Sequence, residues 1–316
     1  MHASTRRFTR RVDLASLQLF VAVGEMGSIG KTAERESIAA SAVSKRLSNL
    51  EDALGTPLLY RHARGVDLTA AGETFLRHAR SLLFSLDKMQ AELSEYAEGV
   101  RGHVRIHANI SAILQFLPED LGGFVAKHEE VKIDLEEHVS SDIVRAVRDG
   151  DADIGICSQQ ATNTGQLQSR PYQRDKLVLV VPRGHALAAL PSVRFEDTLD
   201  YDHVGLHINS AIYIGLRHAA AEAGRIIKLR IRVTSLDAMC RMIHNGLGIG
   251  VLPDRAFEVL HSLGDLHAVP LTDEWSERGL QLVARDFDGL PAAARVLVDH
   301  LSECAARRPG AKLAGA

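Results

Sequence analysis

The sequence predicts an α/β protein with three parts: a small helical head, one long helix, and a larger domain of alternating strands and helices. Three observations support this division. Three short amphipathic segments precede residue 55, an apolar heptad repeat follows Gly72, and strand-like and helix-like runs alternate beyond Gly99. The chain has 316 residues, 46% of them hydrophobic, which is enough for two or three compact domains.

The charge is distributed unevenly along the chain. Residues 1–66 hold ten Lys and Arg against six Asp and Glu, a net charge of +4. Since the whole chain carries −3, the remainder carries −7. A positive N-terminal part on an acidic body favours phosphate binding at one end of the molecule.

Composition also excludes several classes of protein. No run of about 18 uncharged apolar residues occurs, so we expect no membrane span, and the Arg6-Arg7 pair lacks the uninterrupted apolar stretch of an export signal. The three cysteines, Cys157, Cys240 and Cys304, lie in apolar sequence, as reduced core thiols do. We therefore expect reduced thiols in a cytoplasmic protein. The alternative for these cysteines is a redox-sensing role.

Three helices and a hairpin are predicted in the head. The helices cover residues 14–23, 28–36 and 40–54. Ser28 has the position and the side chain of an N-cap. Gly65 separates two β-prone runs, which predicts a two-stranded wing around residues 59–69.

The stretch SAVSKRLSNLEDAL, residues 41–54, has two different faces as a helix. One face carries an apolar stripe: Val43, Leu47, Leu50 and Leu54. The other carries short hydroxyls, a cation and an amide: Ser41, Ser44, Lys45, Ser48 and Asn49. Such a face is typical of contact with a polar, negatively charged partner, whereas a solvated face, the alternative, commonly carries Glu–Lys pairs.

The long helix after Gly72 carries a heptad seam. Its apolar residues are spaced four and three apart: Phe75, Ala79, Leu82, Leu86, Met89, Leu93 and Tyr96. This spacing predicts a helical partner, and the first six residues are our predicted dimerisation residues. The alternative is a helix packed on its own domain. A homodimer would present two copies of the head, which implies a roughly palindromic binding site.

The larger domain is predicted as α/β with two lobes. The predicted strands are HVRIHA, KIDLEEHV, ADIGIC, LVLVV, DHVGL, LRIRVT and GIGVLP, and the predicted helices cover residues 112–127, 141–149, 211–223 and 236–245. Interruptions near Val181-Pro182 and Val269-Pro270 suggest two crossings between the lobes. Two lobes joined in this way enclose a cleft.

Motifs in the head and in the larger domain resemble those of a known family. Residues 14–72 contain, in order, F-V-A-V-x-E-x-G-S-I, A-V-S-K-R-L-x-x-L-E-x-x-L-G, Arg61 and L-T-A-A-G, and resemble the winged helix-turn-helix of LysR-type transcriptional regulators. The runs PRGHALA from Pro182, SLDAM from Ser235 and GLGIGVLP from Gly246 are similar to the effector domain of that family. The resemblance implies a DNA-binding dimer, often a tetramer, with a periplasmic-binding-protein-like domain that senses a small molecule. It also allows contact with RNA polymerase.

We divide the chain on this basis. The segments are a basic N-terminal arm (1–12), a winged helix-turn-helix (13–71), a linker helix for dimerisation (72–99), an effector domain (100–305) and a C-terminal tail (306–316). Within the effector domain, lobe I comprises residues 100–181 and 270–305, and lobe II comprises residues 182–269.

The resemblance places residues 41–54 in the major groove of duplex DNA. The predicted DNA-binding residues are Ser28, Lys31, Ser41, Ser44, Lys45, Ser48, Asn49, Arg61 and Arg64. Ser41 and Lys45 are expected at base edges, Ser44 and Ser48 at phosphates, and the two wing arginines at the backbone or the minor groove.

Two departures from the family pattern affect the head. Ala39-Ala40 stand where a Ser-Gln pair is usual, and Glu36 stands at a position that is usually leucine, so sequence preference is expected to differ. The arm with Arg6, Arg7, Arg10 and Arg11 is longer than usual and adds nonspecific phosphate contacts or forms a disordered tail.

In the effector domain, polar residues at strand ends and helix starts are the candidate ligand contacts. They are Asn109, Ser111, His207, Thr234 and Ser235. Hydroxyls and free backbone N–H groups at helix N-termini bind anions, so we expect a small organic acid; simple helix capping is the alternative.

The sequence does not support catalysis, a cofactor or a metal. Residues four apart on a strand, such as His103 and His107 or His203 and His207, lie about 13 Å apart, too far to share an ion. The glycines from Gly246 precede a strand instead of following one, unlike a nucleotide-binding loop. Two other functions stay open: a solute-binding or enzymatic protein with a vestigial head, and a regulator that acts by DNA occupancy without a ligand.

Overall fold

The computed structural model describes residues 12–62, 65–98, 102–160 and 163–308. The chain divides into two compact units, Met1–Leu93 and Ser94–Ala316. Within the described residues, none of the helices combines the length and the hydropathy that a membrane span needs.

The first unit is the predicted head with most of the long helix. Its elements are α1 Leu14–Met26, α2 Ile29–Arg35, α3 Ala40–Leu54, β1 Leu59–His62, β2 Gly65–Leu68 and α4 Ala70–Glu98. Helix α1 begins where the Asp13 side chain accepts a hydrogen bond from the Ser16 N–H at 2.9 Å. Its last residue, Met26, lies three residues beyond the predicted end, and Gly27 follows as a left-handed C-cap with φ 60°.

The apolar stripes of the three head helices meet in one core. Phe20 and Val23 of α1 and Val43 and Leu47 of α3 are completely buried there. Phe75 of α4 adds its ring edge-on to Phe20, with ring centroids 5.1 Å apart. The predicted apolar stripe of residues 41–54 therefore holds α3 in place and turns its opposite face outward.

The predicted wing is a two-stranded antiparallel sheet in which Leu59 is paired with Leu68. Gly65 starts β2 with φ 150°, and any Cβ at this position would collide with the Gly27 carbonyl oxygen. The same oxygen accepts a hydrogen bond from the Val66 N–H at 2.9 Å. Glycine is thus required for the wing to lie against the end of α1.

Two of the six predicted dimerisation residues pack within the single chain. Phe75 is half-buried against the head core, and Ala79 is only 1% exposed, so Ala79 has almost no surface left for a partner. Leu82 and Met89 are 55% and 52% exposed, and Leu86 is half-buried. The side chain of Leu93 lies outside the described residues. A heptad repeat alone does not distinguish a seam toward the helix's own domain from a seam toward a second chain.

The second unit has alternating strands and helices. Its elements are β3 Gly102–Ala108, α5 Ile110–Gln115, α6 Leu117–Val125, β4 Val131–Glu137, α7 Ser140–Asp149, β5 Ile154–Ser158, β6 Gln168–Pro182, α8 Phe195–Thr198, β7 His203–Gly205, α9 Ala211–Glu222, β8 Leu229–Arg232, α10 Leu236–His244, β9 Gly250–Pro253, α11 Asp254–Leu260, β10 Leu266–Pro270, β11 Glu277–Ala284 and α12 Ala292–Arg307. The predicted helix 112–127 is in fact two helices, because the chain bends at Phe116 and a new helix, α6, starts at Leu117 with Pro118 in its first turn.

The first lobe of this unit is a mixed sheet in the order β4, β3, β5, β11 and β6. Strand β3 runs parallel to β4 and β5, and β11 runs antiparallel to β5 and β6. Phe116, Phe124 and Leu297 pack with the inward side chains of the strands in one core. Ile143 and Val147 of α7 belong to a separate cluster with Cys157 and Val283.

The second lobe has its own sheet and core. The last residues of β6, from Leu177 to Pro182, pair with β9 and β10. Strands β7 and β8 pair in parallel, and an isolated bridge from His203 to Ile249 connects them to the β9 side. Phe195 and Leu236 are completely or almost completely buried in this core.

The strand pairing places the crossings between the lobes five residues before the predicted boundary at 181/182 and two residues after the predicted boundary at 269/270. Strand β6 is continuous through both lobes, pairing with β11 up to Lys176 and with β9 and β10 from Leu177 onward. Residues 177–181 therefore pack in the second lobe, and residues 270 and 271 also belong to it, since Pro270 pairs with Val178. The crossing coincides with the start of the apolar run LVLVV at Leu177, which follows the more polar run QSRPYQRDK within the same strand.

The cysteines are free thiols in this structure. Burial raises the pKa of Cys157 and of Cys240 to about 11, so both are protonated at neutral pH and are poor nucleophiles. Cys304 is half-buried.

Candidate nucleic-acid interface and ligand cavity

Helix α3 presents the predicted polar face to solvent. Ser41, Lys45 and Asn49 are exposed, and Ser44 and Ser48 are half-buried, while the apolar stripe behind them lies in the core. The helix begins after Ala39, which provides no side-chain cap. Ala39 stands where the family usually has serine, so the capping hydroxyl that a serine would supply is missing at this position.

Arg61 of the wing lies along this face. Its Nη1 donates to Ser44 Oγ at 2.8 Å, and its Nη2 donates to Ser48 Oγ at 3.1 Å. The same Nη2 lies 3.5 Å from the Glu51 carboxylate. Since both serines accept from Arg61, each keeps its own hydroxyl proton to donate to an outside acceptor such as a phosphate oxygen.

Glu51 also fixes the start of the wing. Its Oε1 accepts hydrogen bonds from the Leu58 N–H at 2.8 Å and from the Leu59 N–H at 3.0 Å. One half-buried carboxylate therefore joins α3 to β1 and holds Arg61 beside the two serines. We did not predict this joining role from the sequence, although Glu51 belongs to the motif A-V-S-K-R-L-x-x-L-E.

The remaining predicted head residues have different roles. Ser28 caps α2 by accepting from the Lys31 N–H at 3.3 Å, as predicted. The Lys31 side chain is exposed. Arg64 and the basic arm of residues 1–11 lie outside the described residues, so their predicted DNA contacts remain predictions.

A cavity of about 300 Å³ lies between the two lobes of the larger unit. Its walls come from the segments after β3 and β4 and from the start of α9. The lining residues are Asn109, Ile110, Ser111, Glu137, His138, Val139, Ser140, Asp142, Leu206, His207, Asn209, Ser210, Ala211, Ile212 and Thr234. Since β3 and β4 are parallel, their carboxyl ends meet at one edge of the sheet, where α/β folds commonly bind ligands.

Four of the five predicted effector residues line this cavity. Asn109 is 6% exposed, and its side chain caps α5 by accepting from the Ala112 N–H at 2.9 Å. His207 and Thr234 are exposed and belong to the second lobe. Ser235 caps α10 and is not among the lining residues, so its predicted ligand contact stays a prediction.

Ser111 has a partner that the sequence does not reveal. It is 2% exposed, and its Oγ accepts a hydrogen bond from Arg278 Nη2 at 3.1 Å. Arg278 in turn forms a buried ion pair with Asp175, with Nε donating to Oδ1 at 2.9 Å. The Gln115 amide donates to the same carboxylate at 2.9 Å. This network lies beside the point where β6 passes from one lobe to the other.

Sequence reasoning missed the contribution of the segment after β4. Glu137, His138, Val139 and Ser140 line the cavity together with Asp142 of α7. A signal was present, since the run KIDLEEHV was predicted as a strand and was followed by a predicted helix. The same argument that selected the residues after β3 therefore applied to β4.

Helix α7 begins at this cavity without a side-chain cap. Helices α5, α9 and α10 begin with caps from Asn109, Ser210 and Ser235. The Ser140 hydroxyl does not cap its own helix, because it accepts from the Ser158 N–H at 3.2 Å. Because Val139, Ser140 and Asp142 line the cavity, the N-terminal end of α7, the end at which helices bind anions, lies at the ligand space.

The ionisable groups of the cavity wall are carboxylates and imidazoles. Among the described lining residues there is no Lys or Arg. Burial raises the pKa of Glu137 above its ordinary value. His207 accepts from the Asn209 N–H through Nδ1 at 3.2 Å, so its neutral ring carries the proton on Nε2 and is a hydrogen-bond donor there.

A second cavity of about 370 Å³ lies on another side of α9. Its apolar lining includes Trp275, Leu177 and Ile214. Its polar lining residues are Ser158, Gln160, His218, Glu222 and Arg278. Arg278 therefore contacts both cavities, directly in the second and through Ser111 in the first.

Comparison with known families agrees with this arrangement. The family model described as bacterial regulatory helix-turn-helix protein, lysR family, matches residues 14–73, and the model described as LysR substrate binding domain matches residues 97–306. The chain belongs to the LysR family. The family and fold class predicted from the sequence motifs are thus confirmed, and this LysR-family chain is a transcription regulator and not an enzyme.

Several curated relatives of the LysR-family chain span most of its length. The HTH-type transcriptional regulator AlsR of Bacillus subtilis is 28% identical over 269 residues, covering 84% of this chain and 89% of the relative. The probable RuBisCO transcriptional regulator of Emiliania huxleyi is 26% identical over 275 residues, covering 85% and 88%.

Solved structures share the fold at lower identity. A full-length OxyR variant from Pseudomonas aeruginosa has a TM-score of 0.75 at 19% identity and covers 94% of this chain and 96% of its own. CbnR in complex with its target DNA has a TM-score of 0.66 at 19% identity, covering 93% and 100%. The CcmR regulatory domain of Synechocystis PCC6803, in complex with 2-PG, has a TM-score of 0.60 at 18% identity, covering 66% and 99%.

Proposed function

We propose that this LysR-family regulator binds a roughly palindromic duplex DNA site as a dimer, with α3 in the major groove and the wing on the backbone. The observation that carries the proposal is the polar face of α3. There the exposed Lys45 stands beside two serines that Arg61 holds in place. Hydroxyls and cations with fixed positions suit base edges and phosphates. The CbnR neighbour was solved on its target DNA, which supports this use of the shared fold.

Lys45→Ala tests the DNA contact. We expect at least a tenfold loss of affinity for the DNA upstream of the protein's own gene, and a smaller salt dependence of binding. The measurement is a gel-shift titration at several salt concentrations. Lys127→Ala is the matched control, since it removes the same charge from an exposed position in the other unit. Equal affinity of Lys45→Ala and Lys127→Ala would show that α3 does not contact DNA.

The dimer is proposed to form along α4 from Leu82 onward. Leu82 and Met89 expose more than half of their area in the single chain, which is a large apolar surface for a helix. With the half-buried Leu86 they have the spacing of a helix pair. Leu82→Asp should shift the protein from dimer to monomer in sedimentation velocity, and an unchanged dimer would place the interface elsewhere.

The ligand proposed for the interlobe cavity is a small organic acid. Support comes from the uncapped start of α7 and from the Nε2–H donor of His207, which provide hydrogen bonds to a carboxylate without a formal cation. Glu137 in the same wall favours an acid that also carries a hydroxyl or amino group, because its carboxyl accepts from such a donor. The CcmR neighbour, solved with 2-PG, supports a cavity of this kind.

A thermal-shift panel tests the ligand class, with each acid measured beside its amide. We expect some hydroxy or amino acids to raise the melting temperature and their amides to have no effect. His207→Asn should abolish the shift, because the Asn oxygen replaces Nδ1 as the acceptor and only the Nε2 donor is lost. His218→Asn, in the second cavity, should retain it. The reverse pattern would place the ligand in the second cavity, and a panel without any shift would favour a regulator that acts by occupancy alone.

A further inference from the structure

Two histidines and a glutamate meet at one edge of the first lobe. His107 is near the end of β3, Glu136 is near the end of β4, and His138 follows β4 directly. In the parallel ladder His107 is the partner of Glu136. Since side chains two apart on a strand share a face, His138 lies on the same side as Glu136. Sequence spacing did not reveal this group, because only pairs within one strand were considered.

The three side chains are close enough to share an ion. The His138 Nε2 lies 2.9 Å from the Glu136 Oε2, and the His107 Nε2 lies 3.6 Å from it. All three candidate ligand atoms lie within 4.8 Å of one another. Tetrahedral zinc with bonds of about 2.0–2.1 Å holds its ligands about 3.3 Å apart, a value between the two shorter separations.

His103, on the same face of β3, forms a complete hydrogen-bonded pair with a carboxylate and serves as a comparison. His103 lies 2.7 Å from the Asp134 carboxylate, and both side chains are at least half exposed. By contrast, His107 is 9% exposed, and its buried Nδ1 has no hydrogen-bond partner within the described part of the chain. Its ring stacks on that of His138, with centroids 4.4 Å apart. The His107 Nε2 is 3.6 Å from the Glu136 carboxylate, which is too long for a hydrogen bond, so His107 and Glu136 do not form a closed pair as His103 and Asp134 do.

We propose that His107, Glu136 and His138 bind a divalent transition-metal ion, with Zn²⁺ as the best fit. Two imidazole nitrogens and one carboxylate oxygen form a ligand set that zinc uses in proteins, with a fourth position left open. The strand register fixes Glu136 and His107 as neighbours. Rotation of the partly exposed His138 ring would bring its ligand nitrogen closer to that of His107. His138 also lines the interlobe cavity, so the ion would lie at the edge of that cavity.

Metal binding by the full-length chain, without an affinity tag and after chelator treatment, tests the proposal. We expect one Zn²⁺ per chain in titration calorimetry, and visible absorption bands when Co²⁺ occupies the site. His138→Asn and Glu136→Gln should each weaken zinc binding at least tenfold. His103→Asn is the matched control, because it removes an exposed histidine from the same strand and face, and it should bind as the unchanged protein does.

Two results would overturn the proposal. One is the absence of a site with one ion per chain for both Zn²⁺ and Co²⁺. The other is equal zinc affinity of Glu136→Gln and His103→Asn. Glu136 is exposed, so its substitution does not disturb the core, and the melting temperature of each metal-free variant verifies folding. The readout is bound metal, so the outcome is independent of the DNA and organic-acid proposals.

Discussion

The polar face of α3 and the interlobe cavity both contain serine hydroxyls, but the two regions use them differently. On α3, Ser41 and Lys45 project into solvent, and the core stripe behind them holds the helix without their help. In the cavity, Asn109 caps a helix and Ser111 accepts from a buried arginine. Polar groups of the head are available for a partner, whereas those of the cavity also hold the fold together.

This difference has a measurable consequence. Substitutions on α3 should change DNA affinity and leave the free energy of unfolding within about 0.5 kcal/mol. Substitutions around the cavity should change the free energy of unfolding, because they leave buried partners without hydrogen bonds.

The largest expected effect is that of Arg278→Met. The substitution leaves the Asp175 carboxylate, whose side chain is completely buried, without its cation, and should lower the free energy of unfolding by about 3–5 kcal/mol. Urea denaturation followed by circular dichroism measures it. Arg46→Met in the head breaks an ion pair with Asp13 in which both side chains are about half exposed, and it should cost less than about 0.5 kcal/mol. Similar losses for the two variants would remove the distinction between the regions.

Next in size is the pH dependence of the larger unit. Burial lowers the pKa of His203 from 6.5 to about 4. The unfolded chain therefore binds a proton that the folded chain does not bind between these values, so the stabilising contribution is complete above pH 6.5 and is lost as the pH falls toward 4. The free energy of unfolding should fall by roughly 3 kcal/mol over this window, since each pKa unit is worth about 1.4 kcal/mol.

His203→Gln should flatten this pH dependence, whereas His62→Gln in the exposed wing should leave it unchanged. The His62 ring is paired with the exposed Asp67 at 3.1 Å and is not buried. An unchanged slope in His203→Gln would show that other groups cause the acid sensitivity.

Arg61→Lys should have a smaller effect, limited to DNA binding. Lysine has one ammonium group and does not donate to Ser44 and Ser48 from two fixed nitrogens as the guanidinium does. We expect about a tenfold loss of DNA affinity in a fluorescence-anisotropy titration, with little change in melting temperature. Arg35→Lys, at an exposed site on α2, is the control. Unchanged affinity would mean that the bridge to the serines is structural only.

The head was largely predictable from its sequence, because its determinants are local. An apolar stripe at helical spacing defines α3 and its outer face together, and Gly65 marks the wing. The link from Arg61 to Ser44 and Ser48 was not predictable, because it joins residues 17 and 13 positions apart. Neither was the burial of Phe75 and Ala79, since periodicity shows which residues share a face and not what covers that face.

The cavity was predictable only in outline. Strand ends and helix starts identified Asn109 and Ser111, but the partner of Ser111 is 167 positions away along the chain. The lobe crossing between Lys176 and Leu177 was missed because β6 continues through it as one strand, without a turn or a break. The group at His107 depends on the register between β3 and β4, which becomes visible only when the strands are paired.

The difference between the polar face of α3 and the interlobe cavity is tested most directly by two matched substitutions, Ser41→Ala and Ser111→Ala. Urea denaturation and DNA titration are carried out on both variants. We predict that Ser41→Ala weakens DNA binding by about 1 kcal/mol and leaves the free energy of unfolding unchanged. Ser111→Ala should lower the free energy of unfolding by about 1 kcal/mol, because Arg278 loses an acceptor, and should leave DNA affinity without ligand unchanged. If Ser41→Ala instead destabilises the fold while DNA affinity stays the same, the outer face of α3 is a structural surface and the account is wrong.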